Sequence, residues 1–134
     1  MNHCIFCYDL NDKNVLHETY YFKVVLDIDP IQAGHLLIIS KKHHLNFIEL
    51  DDEELLDLAA IQKRLIKLLE QEMGLGVTVA MNNGIMMDTD VHFHVHVIPR
   101  YKGDGFWDYV RLNDKPFDTE KMKWLLKQRL DDEY

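Results

Sequence analysis

The chain has 134 residues, of which 47% are hydrophobic, and a formal net charge of −8 at pH 7. This length is typical of one domain, spanning 1–134, which can build a core without disulfides. The acidic balance argues against nucleic-acid binding. No apolar run approaches the about 20 residues of a membrane span, and the first residues do not resemble a signal peptide. A cytoplasmic protein is expected.

The hydrophobic pattern predicts an α+β domain. Segments rich in β-branched, aromatic or apolar residues predict strands at 15–19, 20–28, 35–40, 77–83 and 91–100, the last one stopped by Pro99. Helical periodicity predicts a helix from Glu53 to Glu70 with Gly74 as its C-cap. A final helix is expected from Thr119 to Leu130, with Asp118 or Thr119 as N-cap. This order predicts a mainly antiparallel sheet of about five strands, with two helices on one side.

Residues 92–96 read HFHVH, which places histidines at every second position. Side chains at such positions point to one face of a strand, about 6.8 Å from the first to the third. His92, His94 and His96 should therefore share a face, opposite core residues such as Phe93 and Val95. Two chemistries use such a row: metal ligation, or nucleophilic attack by a neutral imidazole with a neighbouring histidine handling protons.

The two cysteines of the chain, Cys4 and Cys7, have C-x-x-C spacing. In a cytosolic protein this spacing indicates half of a zinc site or a redox pair, rather than a structural disulfide. A thioredoxin-like redox motif lies in a βαβ context, which the predicted strand order does not provide. A tight turn without a metal is the remaining alternative.

Three segments together resemble one family. HFHVHV at 92–97 resembles the alternating signature of the histidine triad (HIT) family of nucleotide hydrolases and transferases. LDIDPIQAGHLLIISKKH at 26–43 resembles that family's D-x-x-P-x-x-x-G-H-x-L-I-I-P-K-x-H segment, with Ser40 in place of the proline. CIFC at 4–7 resembles the start of many bacterial members. The resemblance spans 4–100 and implies the HIT-like fold.

The resemblance assigns the histidines to separate catalytic roles. His94 would attack the α-phosphorus of a nucleotide and form a covalent nucleotidyl-histidine. His96 would bind the phosphate and assist proton transfer, and His35 would lie beside the triad and orient it.

The resemblance also implies a nucleotide-binding set. Asp27 would accept hydrogen bonds from the ribose hydroxyls, as a carboxylate can do for a vicinal diol. Ile28 would lie against the base. Asn82 would lie near the phosphate and ribose, although the adjacent Asn83 is an alternative.

One segment departs from the family pattern. MMDTDV at 86–91 stands where relatives carry a Gly-Gln pair that binds phosphate, and the segment is one residue shorter. Thr89 or a backbone amide would replace those donors, while Asp88 or Asp90 would bring negative charge near the phosphate. Arg100 or Lys102 would supply positive charge.

For the cysteines, the resemblance implies a structural zinc ion held by Cys4, Cys7, His43 and His92, with no organic cofactor. His44 is a competing ligand.

The expected activity is cleavage at the α-phosphate of a nucleotide phosphoramidate or a dinucleoside polyphosphate. Relatives imply a homodimer that acts on a small-molecule nucleotide, with no nucleic-acid or membrane partner. The main alternative is a non-catalytic nucleotide-binding or interaction module on the same fold. A third hypothesis places a catalytic metal on all three triad histidines.

Overall fold

Five strands form one antiparallel sheet in the order β1-β2-β3-β5-β4. The computed structural model describes residues 3–133. The strands are β1 Val15–Glu18, β2 Phe22–Leu26, β3 Leu36–Ser40, β4 Gly76–Met81 and β5 His94–Arg100. This sheet confirms the predicted α+β class and the predicted number of strands.

The described residues also form three α-helices: α1 Ile5–Tyr8, α2 Asp52–Met73 and α3 Thr119–Glu133. The α2 helix begins with a capping box, in which Asp51 accepts from the Glu54 amide and Glu54 accepts from the Asp51 amide. It ends at Gly74, which is left-handed with φ 66°. Gly74 is therefore the C-cap that the sequence predicts. The single-turn helix α1 was not predicted.

The two faces of the sheet have different coverings. One face packs against α2, through a core of Phe22, Val24, Leu36, Ile38, Leu50, Leu58, Ile61, Leu69, Phe93, Val95 and Val97. The other face carries Val25, Leu37 and Ile39, which pack against Phe6 and Leu10 of the N-terminal segment. His94 and His96 pair with Ile39 and Leu37 across β3 and β5, so they lie on this second face.

Strand β5 ends at Arg100, the last residue of its predicted range, but it differs from the prediction at Pro99 and at its beginning. It does not stop at Pro99, because Pro99 pairs with Val77 of β4 inside the strand. The pairing of β3 with β5 ends at Val97. Pro99 therefore has no β3 residue opposite it that would require the hydrogen bond that proline cannot donate. At the other end the strand begins at His94 rather than at Val91. The Phe93 amide instead donates to the carbonyl of His44 at 2.6 Å.

The described chain divides into two units, one up to Asp104 and one from Gly105 onward. In the second unit, Asp118 accepts a hydrogen bond from the Lys121 amide at 2.9 Å, as an N-cap of α3 does. The prediction of one domain over 1–134 stays a prediction. In the part of the chain that the structure describes, no helix is long and apolar enough to cross a bilayer.

Candidate active site and metal site

The backbone around β5 selects one tautomer of His94. Its Nδ1 lies 2.8 Å from the carbonyl oxygen of His92. A carbonyl oxygen only accepts, so Nδ1 carries the proton and Nε2 of the neutral ring carries the lone pair. The His94 residue is 4% exposed, and Nε2 has no hydrogen-bond partner among residues 3–133. The arrangement leaves a nucleophilic nitrogen available to a ligand.

A second histidine chain supplies a proton donor. The Ile31 amide donates to Nδ1 of His35 at 3.2 Å, and Nε2 of His35 lies 2.9 Å from Nδ1 of His96. Neutral His35 therefore carries its proton on Nε2 and donates to His96, which leaves the proton of neutral His96 on its own Nε2. Burial lowers the pKa of both histidines, and the nearby His94 lowers them further. Both rings are consequently neutral near pH 7.

His94 and His96 border a pocket of about 380 Å³. Its lining comes from the N-terminal segment, from β2, β3 and β5, and from the segments that follow β2 and precede β5: Ile5, Phe6, Asp9, Leu10, Asn14, Val25, Leu26, Asp27, Ile28, Leu37, Asp88, Val91, His94 and His96. The ring of Phe6 contacts His94 edge-on, with centroids 5.1 Å apart. This volume lies in the range of small-molecule sites.

Asp27 and Ile28 both lie where the resemblance implies, at the pocket. One carboxylate oxygen of Asp27 accepts from the Asp29 amide at 2.8 Å, and the other lies 3.5 Å from Nε2 of His35. The side chain of Ile28 also lines the pocket, yet the residue is 96% exposed. Such exposure rules out a core-packing role and leaves an apolar surface free for a ligand.

Asn82, Asn83 and Thr89 are placed differently from one another. Asn82 follows β4, and continuing the register of β4 and β5 places it opposite His94. Asn83 accepts a hydrogen bond from the Phe47 amide at 2.8 Å, so Asn82 is the better candidate for a ligand contact. Thr89 lines a second hollow of about 470 Å³ beside Cys4 and His43, rather than the pocket of His94.

The two basic candidates do not line the pocket of His94. Arg100 and Lys102 border a separate hollow at the far end of β5. The Arg100 guanidinium donates to both oxygens of Asp104, at 2.6 and 2.9 Å, and to the Thr78 hydroxyl at 2.9 Å. Asp104 also accepts from the Gln32 amide group at 3.0 Å. Arg100 thus belongs to a network that ties the turn before β3 to the end of β5.

The predicted metal ligands come together in space. Cys4, Cys7, His43 and His92 each offer one ligand atom, and these atoms lie within 4.8 Å of one another. Nδ1 of His92 is 3.3 Å from the Cys4 sulfur and 3.4 Å from the Cys7 sulfur, and Nδ1 of His43 is 3.0 Å from the Cys7 sulfur. Such spacings fit a tetrahedral ion with bonds of about 2.0–2.3 Å.

Hydrogen bonds outside the cluster orient its histidines. Nε2 of His92 donates to the carbonyl oxygen of Ser40 at 2.6 Å, so Nδ1 points its lone pair toward the sulfurs. His44, the competing ligand, instead contacts the buried carboxylate of Glu54 at 2.8 Å. His43 therefore fits the metal cluster, and His44 does not.

The same geometry weighs against a catalytic metal on the whole triad. Among residues 3–133, no group of potential ligands brings His92, His94 and His96 together. His92 turns toward the cysteines, whereas His96 belongs to a cluster with Asp27 and His35. The ring of Phe6 lies against both His92 and His94, at centroid distances of 5.5 and 5.1 Å, beside the metal cluster and the pocket alike.

Some functional residues were missed by sequence reasoning. Phe6 and Leu10 cover the sheet face that carries His94, and Asp9 and Asn14 line the pocket. The apolar residues inside CIFC and at position 10 could have indicated this role. Their spacing places them on one side of a helical turn, as expected for a segment that packs against the sheet. Ser40 orients His92 through its carbonyl, a role that no side-chain pattern reveals.

Comparison with known proteins identifies the family. Residues 9–103 match the family model of the HIT domain. Because this match covers more than half of the chain, the protein belongs to the histidine triad family. The sheet, the paired histidines and the Cys/His cluster are consistent with that membership.

Individual relatives extend the comparison. A protein of Methanocaldococcus jannaschii, described as an uncharacterised HIT-like protein, is 37% identical over 106 residues, covering 76% of this chain and 82% of its own. The adenosine 5′-monophosphoramidase of Saccharomyces cerevisiae is 38% identical over 101 residues, covering 72% and 62%. A zinc-bound histidine triad family protein from Mycobacterium smegmatis superposes with a TM-score of 0.65 at 29% identity, covering 96% and 94%.

The buried neutral histidines predict a loss of stability in acid. Burial lowers the pKa of His35 and His96 in the folded protein, so the unfolded chain binds more protons as pH falls below about 6.5. We expect the unfolding temperature, measured in EDTA to exclude metal release, to fall between pH 8 and pH 5. His35→Gln should flatten this dependence, whereas His17→Asn, at an exposed site, should not. Parallel curves for all three proteins would contradict the assignment.

Proposed function

We propose that the protein is a nucleotidyl hydrolase or transferase that cleaves nucleotide phosphoramidates or dinucleoside polyphosphates at the α-phosphate. The observation that carries this proposal is the Nε2 of His94, which has no hydrogen-bond partner among the described residues and lies at a pocket that also holds His96. An imidazole with its proton held on Nδ1 by a carbonyl is ready to attack without prior deprotonation.

In the first step, the lone pair of His94 Nε2 forms a bond to the α-phosphorus. The bond from phosphorus to the leaving nitrogen or oxygen breaks, and its electron pair stays with the leaving group. The negative charge of the bound phosphate favours the cationic form of His96, which donates its Nε2 proton to the leaving atom and returns to the neutral ring. As His94 becomes positively charged, its Nδ1–H bond to the His92 carbonyl strengthens and stabilises the covalent intermediate.

In the second step, water attacks the same phosphorus. The proton of the attacking water passes to His96, the new phosphorus–oxygen bond forms, and the bond to His94 breaks with its electron pair returning to Nε2. Another acceptor in place of water would make the reaction a transfer. His35 keeps His96 oriented throughout, because its Nε2 hydrogen bond fixes the ring.

Four residues would bind the nucleotide: Asp27 and Ile28 from the pocket lining, and Asn82 and Thr89 from outside it. Asp27 would accept from the ribose hydroxyls, and the exposed side chain of Ile28 would contact the base. Asn82, opposite His94, would contact the phosphate or ribose. Thr89 would need a movement of its segment to reach the phosphate, because it lines the neighbouring hollow. The yeast phosphoramidase relative supports a nucleotide substrate with a phosphorus–nitrogen bond.

Zinc is proposed as a structural ion. Cys4, Cys7, His43 and His92 would hold it, because their ligand atoms lie together, and the zinc-bound relative supports zinc as the metal. When bound, zinc would link the N-terminal helix to the loop after β3 and to the segment before β5. The homodimer and the cytoplasmic location stay predictions.

A non-catalytic nucleotide-binding module is the second candidate. The pocket lining favours it in one respect, since the described lining residues include Asp9, Asp27 and Asp88 but no lysine or arginine. A transferring phosphoryl group normally meets positive charge. Nucleotide binding without turnover would distinguish this candidate from the enzyme.

Release of AMP from adenosine 5′-monophosphoramidate and from a diadenosine polyphosphate tests the proposal. We expect AMP release, measured by chromatography, to continue in EDTA at a temperature below the unfolding midpoint of the metal-free protein. Quenching in the steady state should trap a nucleotidyl adduct on His94, detectable by mass spectrometry. Binding of AMP by calorimetry without release from either substrate would instead support the binding module.

A further inference from the structure

Asp88 lies in the segment between β4 and β5 that departs from the family pattern. It lines the pocket of His94 and also the neighbouring hollow with Cys4 and Thr89. Its side chain is exposed and makes no hydrogen bond or ion pair to the residues that the structure describes. A carboxylate placed in this way faces whatever enters the pocket.

The other carboxylates of the pocket have local partners. Asp9 pairs with His3 at 2.9 Å, and Asp27 accepts from a backbone amide and lies 3.5 Å from His35. No lysine or arginine occurs among the described residues of the lining. Asp88 is therefore the carboxylate of this pocket whose charge is least offset by the protein.

Asp88 lines the same pocket as His96 and is close enough to act on it electrostatically. Burial lowers the pKa of His96, as do His94 and His35, and the carboxylates of Asp27 and Asp88 oppose that decrease. An opposite charge has such an effect within a few ångströms. The same field would act on the group leaving the α-phosphorus, because His96 protonates that group in the proposed reaction.

The pocket is a ligand site for a reason independent of its carboxylates. His94 is only 4% exposed and lines the pocket, and within residues 3–133 its Nε2 has no hydrogen-bond partner. The acidic side chains modify a site that this histidine defines.

We propose that Asp88 selects the leaving group by charge: it favours cationic and uncharged amines over anionic leaving groups. This inference rests on the proposed nucleotidyl transfer. When the phosphorus–nitrogen bond breaks, the nitrogen keeps the electron pair, receives the proton of His96 Nε2 and departs as an amine. Asp88 attracts a positive charge carried by that amine. A polyphosphate or carboxylate leaving group brings like charge to an unpaired carboxylate, which is repulsive.

Three AMP amides of similar size test the proposal: those of ethylenediamine, propylamine and β-alanine, whose free arms are cationic, uncharged and anionic. We expect kcat/KM to decrease in that order for the wild type, with a ratio of cationic to anionic substrate of about 10 or more. In Asp88→Asn the ratio should fall several-fold, and in Asp88→Lys it should reverse. Added salt should reduce the wild-type ratio.

Asp52→Asn is the matched control, because it removes one carboxylate at the exposed start of α2, outside the pocket lining. Its substrate ratio should equal that of the wild type. An equal ratio in Asp88→Asn and the wild type would overturn the inference while leaving nucleotidyl transfer intact.

If the wild type turns over none of the amides, the proposed function fails, and calorimetric binding of the same three compounds tests charge selection separately. Tighter binding of the cationic amide, lost in Asp88→Asn, would support selection by Asp88. Equal binding, or none, would overturn it.

Discussion

Replacing His94 with Asn is expected to lower kcat/KM for AMP release by more than about 10³-fold while leaving the protein folded. Asparagine can still donate to the carbonyl of His92, but it has no ring nitrogen with which to attack phosphorus. The lost contacts with Phe6 and His96 should cost roughly 1 kcal/mol, a few degrees in unfolding temperature. Steady-state kinetics, thermal unfolding and mass spectrometry of the quenched reaction measure the three effects.

His17→Asn is the control for this substitution, because His17 is exposed on β1 and lies outside the pocket lining. It should retain wild-type turnover and form the adduct. Full activity in His94→Asn would refute the nucleophile assignment. Loss of activity accompanied by unfolding would not support it, so the unfolding measurement is required for the interpretation.

Cys7→Ser is expected to remove bound zinc and to lower the unfolding temperature by about 10 °C or more. A ligand present at 1,000 times its dissociation constant stabilises the folded state by about 4 kcal/mol, which for a domain of this size gives a shift of that order. Cys7 is the suitable position because it is exposed, whereas Cys4 is buried. Elemental analysis measures the metal content, and calorimetry measures the unfolding temperature with and without EDTA.

EDTA should destabilise the wild type and His17→Asn but have little further effect on Cys7→Ser. An unchanged unfolding temperature in Cys7→Ser, with zinc still bound, would refute the ligand assignment. Although Cys7 is exposed as a residue, desolvation of its thiol raises the pKa to about 11 without a metal, and the neighbouring Cys4 raises it too. A bound ion must displace this proton, so zinc affinity should weaken as pH falls.

Loss of the metal should also affect the pocket. Ile5 and Phe6 lie between the two cysteines and line the pocket, and Phe6 packs against His94. Release of this segment should therefore raise KM more than it lowers kcat in Cys7→Ser.

Some features followed from short stretches of sequence. The alternation in HFHVHV predicted that His94 and His96 would share a face opposite Val95 and Val97, because a strand has a period of two. The apolar periodicity before Gly74 predicted α2, since helical spacing and the cap are both local properties. The local pattern alone allowed the histidine row to be either a metal site or a nucleophilic site. The family resemblance supplied the role of each histidine and the set of zinc ligands.

Other features depended on contacts between distant segments. Cys7 meets His43 across 36 positions, and His35 meets His96 across 61, and no local period records such meetings. The sequence pattern placed His92 inside the strand, but β5 begins only at His94. The Phe93 amide instead donates a hydrogen bond to His44 in the segment after β3, and the His92 ring lies against the cysteines. Pro99 remained in its strand because β3 ends before it.

The sequence by itself determined the presence of the five strands and of the helices α2 and α3, the shared face of His94 and His96 and, through its motifs, the family. Local hydrogen bonding and side-chain alternation act over a few residues, which a sequence displays directly. Only the tertiary structure decided which tautomers His94 and His96 adopt, that the N-terminal helix covers the pocket, and that Arg100 is paired with Asp104. The tautomer of His96 and the covering of the pocket depend on partners that folding brings together from separate parts of the chain. The bonds of His94 to His92 and of Arg100 to Asp104 span only two and four positions, but they depend on side-chain and backbone conformations that a residue pattern does not record. A hydrogen bond exists only once both of its atoms are in place.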